Sequence, residues 1–213
     1  MIQLINQLPA LQVLIPLFGA LIAAVSFNKK VAQIIKIATI ITSFLLALYS
    51  FYSTDIESYE FGNWQSSIGI EYKLNFFNKP LIFALNISLL LLIFWQKLID
   101  ESVIDYIDSK RQNLFYSILL FAHAGYIGIL STNDIFNLYV FIEISSLSSY
   151  VLMAQGRNIR AAQGAFDYLI IGSIGATLIL IGIGFMLSYA GTLNITDLKL
   201  QINDFNSVII LTS

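Results

Sequence analysis

Long apolar runs alternate with short polar breaks along this chain, and the length of the runs decides what they are. Apolar stretches cover residues 4–26, 31–52, 80–96, 114–131, 134–154 and 161–190, and another begins near 205 and reaches 213. A helix needs about 20 apolar residues to cross a bilayer's hydrocarbon core, so six crossings and the start of a seventh are expected. Between the second and third runs the pattern changes. Residues 53–79 bring in Asp55, Glu57, Glu60 and Glu71 with Gly62 and Gly69 as turn material. Tyr59-Glu60-Phe61 and the run from Ile68 to Leu74 alternate with the two-residue period of strands, which predicts a small β-hairpin. Pro80 opens the third run, where a missing N–H is harmless. The expected fold is an all-α membrane bundle carrying that hairpin, a single membrane domain over 1–213.

Composition agrees. The chain is 57% hydrophobic and 11% charged, with a mean hydropathy of +0.78, whereas a soluble domain carries about 25% charged residues. No cysteine is present, so neither disulfides nor thiolate metal sites are available. No basic stripe or module suggests nucleic acid. Lys29-Lys30 follow the first run and no base precedes it, the reverse of a signal peptide, so it is read as a retained span. With the N-terminus placed outside the cytoplasm, the inner side collects Lys29, Lys30, Lys36, Lys97, Lys110, Arg111, Arg157 and Arg160. Only Lys73, Lys79 and Lys199 of the eleven basic residues fall outside, as the positive-inside rule requires. The hairpin is then extracytoplasmic.

One residue breaks the apolar logic. Glu143 sits near the middle of the fifth run, where an acid costs roughly 2.5–3.5 kcal/mol on insertion scales and marks a functional site by default. In a helix, Tyr139, Glu143, Ser146 and Tyr150 follow at spacings that put them on one face, a carboxylate flanked by hydroxyls and suited to a short proton relay. His123, midway along the fourth run, is a second candidate, although a lone His often only joins helices. Asp134 and Asp167 are read as caps near span ends. Gly172, Gly175, Gly182 and Gly184 are read as packing residues that let helices approach. With one His, no Cys and no His-Glu-x-x-His pattern, no catalytic centre, metal site or cofactor site is expected.

The segment Phe136-Asn137-Leu138-Tyr139-Val140-Phe141-Ile142-Glu143-Ile144-Ser145-Ser146-Leu147 resembles the fifth transmembrane helix of the proton-translocating antiporter-like family. That family takes in the D and A subunits of Mrp-type multisubunit cation/proton antiporters and the related N, M and L membrane-arm subunits of complex I, the NADH-quinone oxidoreductase. Tyr168 to Ala176 and Gly191-Thr192-Leu193-Asn194 are similar to the sixth helix and the turn after it, and Asn133-Asp134 to the turn before the fifth. The resemblance implies a subunit in a bacterial inner membrane, working with other membrane subunits and moving protons, with Na+ or K+ as possible counter-ions. It assigns Glu143 the role of essential acid in a proton half-channel. Two departures stand out: Asn75 where the family phrase has an Asp, and Asp167 where many relatives carry a Lys.

The resemblance also implies about fourteen helices in two inverted repeats, with a lysine on a broken seventh helix as partner of the glutamate. The chain ends before such a lysine, so a split gene product, a shortened chain or an inactive remnant is expected, and no basic residue is expected centrally in a span. Two further readings stay open: a membrane-arm subunit of a redox-driven complex, and a non-conducting assembly subunit in which Glu143 is a buried polar contact.

Overall fold

The computed structural model describes residues 7–26, 29–53, 57–98, 112–156 and 159–204. Seven α-helices and one hairpin make up the described chain: α1 (Leu8–Val25), α2 (Lys29–Tyr52), β1 (Glu57–Glu60), β2 (Glu71–Leu74), α3 (Asn78–Leu98), α4 (Gln112–Ser131), α5 (Ile135–Ala154), α6 (Ile159–Ala190) and α7 (Ile195–Asp204). The apolar run near 205–213 and most of the mixed-charge connection after Lys97 lie outside the described residues, as does Arg157. Among the described residues, five helices are long and apolar enough to cross a membrane, namely α1, α2, α4, α5 and α6. The apolar part of α3 is shorter, Asn78–Ile93.

Helices α1 to α4 pack as a bundle, and α5 lies against α4 with α6 beyond it. Two apolar clusters fill the bundle at different depths. Leu8, Val13, Ala47, Ile82, Ile127 and Phe141 pack at the hairpin end beneath Tyr72 and Leu74. Ala20, Ile40, Leu89 and Leu120 pack further along. The strands are shorter than the alternation predicted. Glu57↔Leu74, Ser58↔Lys73, Tyr59↔Tyr72 and Glu60↔Glu71 pair antiparallel, while Phe61 has turned into a 3-10 turn, Phe61–Asn63. The period of two still governs β2, whose Tyr72 and Leu74 face the core.

The ends of the helices are set by polar side chains. Asp134 has extended backbone angles and accepts the Asn137 N–H at 2.6 Å, so it caps α5 as the sequence predicts. Asp134→Ala should destabilise the chain by about 1 kcal/mol, read as a lower midpoint of thermal unfolding in detergent; an unchanged midpoint would remove the cap from the account. Asn75 takes the N–H groups of Phe77 and Asn78 at 3.0 and 3.1 Å, so the residue standing where the family phrase has an Asp opens α3, with Pro80 in its first turn. Asp167 corrects the capping expectation. Helix α6 begins at Ile159, which leaves Asp167 about two turns inside it and exposed. Gly191 ends α6 at φ 67°, the left-handed conformation that favours glycine.

Candidate functional site

Glu143 lies near the middle of α5, partly buried. Because α5 is an unbroken helix from Ile135 to Ala154, Tyr139, Glu143, Ser146 and Tyr150 do share a face. They are not joined to one another. Among the described residues the Glu143 carboxylate has neither a hydrogen bond nor an ion pair, and no hydrogen bond connects it with Tyr139, Ser146 or Tyr150. The Tyr139 ring tilts against Phe136 at 6.2 Å between centroids. The Tyr150 ring meets Tyr168 of α6 edge-on at 5.0 Å, and its hydroxyl lies where a Cβ on Gly172 would sit. Glycine at 172 is what admits that tyrosine. Gly175, Gly182 and Gly184 have open space beside them among the described residues.

What fixes the orientation of α5 is its contact with α4. A Cβ on Gly125 would meet the Ser145 backbone nitrogen at 2.9 Å, and one on Gly128 would enter the Phe141 ring. The helices therefore approach along Gly125/Ser145 and Gly128/Phe141, while Glu143 lies between those two levels.

His123 works elsewhere. Its Nε2 is 3.2 Å from Asn86 Oδ1 of α3, which also accepts the Ser43 hydroxyl of α2 at 2.7 Å. Asn86 Nδ2 donates to the Ile82 carbonyl at 2.9 Å, which fixes which end of the amide is oxygen. His123 therefore donates through Nε2–H. This Ser43–Asn86–His123 cluster is buried, with Ser43 and Asn86 each 1% exposed, and it ties α4 to α2 and α3 rather than to the Glu143 face. Sequence reading missed Ser43 and Asn86. A signal was present in α2, where Lys36, Thr39, Ser43 and Ser50 recur at helical spacing and are all buried. Lys36 sits about two turns inside α2, is 5% exposed, and places its ammonium over the Tyr116 ring at 3.5 Å.

At the hairpin end three connections are sewn together. Glu71 Oε2 accepts from Asn133 Nδ2 at 2.7 Å and Asn194 Nδ2 at 2.9 Å. Backbone bridges pair Tyr72 with Thr132 and Asp134 with Asn194. Burial pushes the Asp134 carboxyl above its usual range, with the Asn137 and Phe136 N–H groups pulling the other way. Burial likewise raises the Tyr72 phenol, opposed by its hydrogen bond with Asn137.

Five membrane-length helices with a small hairpin at one end, among the described residues, give the architecture of a multi-pass membrane protein. Residues 132–212 match the family model described as NADH:quinone oxidoreductase/Mrp antiporter, TM. Over 211 residues the chain is 26% identical to the D-type subunit of the Na(+)/H(+) antiporter of Alkalihalophilus pseudofirmus, covering 97% of this chain and 41% of that protein. Over 89 residues it is 46% identical to the N-type subunit of the NADH-quinone oxidoreductase of Desulforudis audaxviator, covering 42% of this chain and 18% of the relative. A chain of the membrane-bound sulfane sulfur reductase, an archaeal respiratory membrane complex, superposes with a TM-score of 0.82 at 26% identity, over 96% of this chain and 42% of its own. The chain is thus similar to members of the NADH:quinone oxidoreductase/Mrp antiporter family, with the family match confined to residues 132–212, and it spans less than half the length of these relatives.

Proposed function

We propose that the chain is a proton-carrying subunit of a multisubunit cation/proton antiporter, seated in a bacterial inner membrane with its N-terminus outside, and that Glu143 is the group that takes up and releases the proton. The observation that carries the reading is the state of Glu143. An acid kept only to hold helices together would be paired, since a buried unpaired charge is costly; this one has no partner among the described residues. A cation brought near a carboxyl group weakens its hold on a proton, and a co-assembled segment could supply that cation. Moving that cation toward or away from Glu143 would load and unload it. Tyr139, Ser146 and Tyr150, on the same face, supply hydroxyls along the route.

The test is Glu143→Gln in the complex assembled with its partner subunits and reconstituted in vesicles holding a pH-sensitive dye. Proton movement driven by a Na+ or K+ gradient should fall to the level of empty vesicles, with the amount of assembled complex unchanged. Undiminished movement rejects the role. A drop in assembled complex instead supports the assembly-subunit reading. A second reading, a membrane-arm subunit of a redox-driven complex, draws on the 46% identity to the N-type relative. It predicts that protons move only when an electron donor and a quinone are supplied, with no response to cation gradients.

A further inference from the structure

The interior of the α1–α4 bundle holds polar groups that the Glu143 reading leaves unused. Gln12 of α1 is 1% exposed, and neither its amide oxygen nor its amide nitrogen meets a hydrogen-bond partner among the described residues. The Ser50 hydroxyl of α2, also 1% exposed, is in the same state. Orphaned buried polar groups each cost about 1–3 kcal/mol and are rare in native interiors. Their positions follow from the helix register. A Cβ on Gly19 would meet Thr39, so the antiparallel α1 and α2 cross there. Gln12 is about two turns from Gly19, and two turns from Thr39 in the matching direction falls between Ser43 and Ser50. Gln12 thus comes level with the gap between the Ser43–Asn86–His123 cluster and Ser50. Beyond Ser50, Lys79 is buried and donates to the Ser53 carbonyl at 3.2 Å. In the opposite direction the stripe continues through Thr39 to Lys36.

We propose that the α1–α4 bundle encloses a file of internal water, bound by Ser50, Gln12 and the Ser43–Asn86–His123 cluster and separate from the Glu143 face. A buried water needs two to four polar partners. The Gln12 amide offers donors and acceptors, and the Ser50 and Ser43 hydroxyls can each accept as well as donate. The cluster sits between two apolar clusters, so the water is held by these side chains and not by a general polar lining. The proposal makes no use of Glu143 and stands or falls without it.

Water itself is the probe. The full chain in lipid vesicles is exposed to short X-ray pulses in 18O-labelled water, so that hydroxyl radicals form from the bound molecules and mark the side chains beside them. His123 should take up 18O although it is 5% exposed, while Ile40 and Leu120 of the neighbouring apolar cluster should stay at background. Gln12→Leu should abolish the mark at His123. Ser50→Ala, a smaller change that keeps the test standing should the leucine variant fail to insert, should weaken it. No mark on His123 overturns the proposal, as does a mark that survives both substitutions undiminished.

Discussion

Gly125→Leu should leave almost no correctly folded chain in the membrane. At this position the obstacle is backbone: a Cβ would stand 2.9 Å from both the nitrogen and the Cβ of Ser145 and 3.1 Å from its Cα. A flexible side chain could swing away, but a helix backbone yields only if α5 moves as a body. Overpacking in a core costs about 1–3 kcal/mol and occasionally more, and the added leucine atoms have nowhere to go between α4 and α5. Gly125→Ala should show the same effect in smaller degree. Gly182→Ala and Gly184→Ala are the controls, since both glycines face open space. There an alanine should be neutral or gain slightly from helix propensity. The measurement is the fraction of chain resisting limited proteolysis in mild detergent. If Gly125→Ala resists as well as Gly182→Ala, the α4–α5 approach is not what the structure describes. The same pair carries a functional consequence, because Glu143 is aimed by the seating of α5 on α4. On the role proposed for Glu143, a variant that folds with α5 shifted should lose proton movement in proportion.

Much of this architecture was legible because its determinants are local. An apolar run of sufficient length has few alternatives to a helix in lipid, and alternation of Tyr72 and Leu74 with Glu71 and Lys73 announces a strand with one buried face. Glu143 was legible for a related reason: a carboxylate inside an apolar run conflicts with its surroundings, and the conflict is visible without any partner. The Ser43–Asn86–His123 cluster was hidden because its members are 43 and 37 residues apart in pairs, and serine or asparagine in an apolar helix reads as neutral packing. Only pairing across three helices gives them a meaning. Lys36 was legible as a base inside the second run, but its partner was not, since only the packing of α2 on α4 brings its ammonium over the Tyr116 ring. The short helix α7 was missed as well. It contributes a cap, since Asn194 Oδ1 accepts the Thr196 and Asp197 N–H groups at 2.9 and 3.2 Å, but its ten residues are too few for periodicity alone to announce it.

Glu71→Ala should loosen the whole hairpin end while leaving the spans in place. The carboxylate receives two amide donors through one oxygen, from Asn133 at 2.7 Å and Asn194 at 2.9 Å, and these amides belong to the α4–α5 turn and the α6–α7 connection. Asn133 is 8% exposed and Asn194 is 2% exposed. Removing the acid therefore leaves buried donors short of an acceptor, which costs more than losing a surface contact. Hydrogen bonds to a charged group are worth about 1.5–3 kcal/mol each, so a loss near the upper part of that range is expected even after Thr196 Oγ1, 2.9 Å from Asn133 Nδ2, takes up some of the slack. Glu71→Gln keeps the size and one acceptor oxygen but gives up the charge, and it should fall between the two. Amide hydrogen exchange separates this from general unfolding. The Asn133 N–H, bonded to the Glu71 carbonyl at 2.8 Å, and the Ile195 N–H, bonded to the Asn133 carbonyl at 2.8 Å, should lose protection in Glu71→Ala. Amides in the middle of α1 and α4 should keep theirs. Equal protection in the variant and the parent chain would mean that the backbone bridges hold this end without the carboxylate. The coupling matters for α5, whose first turn is capped by Asp134 within this same network: once the end is loosened, the helix that carries Glu143 relies, among the described residues, on its contacts with α4 and α6.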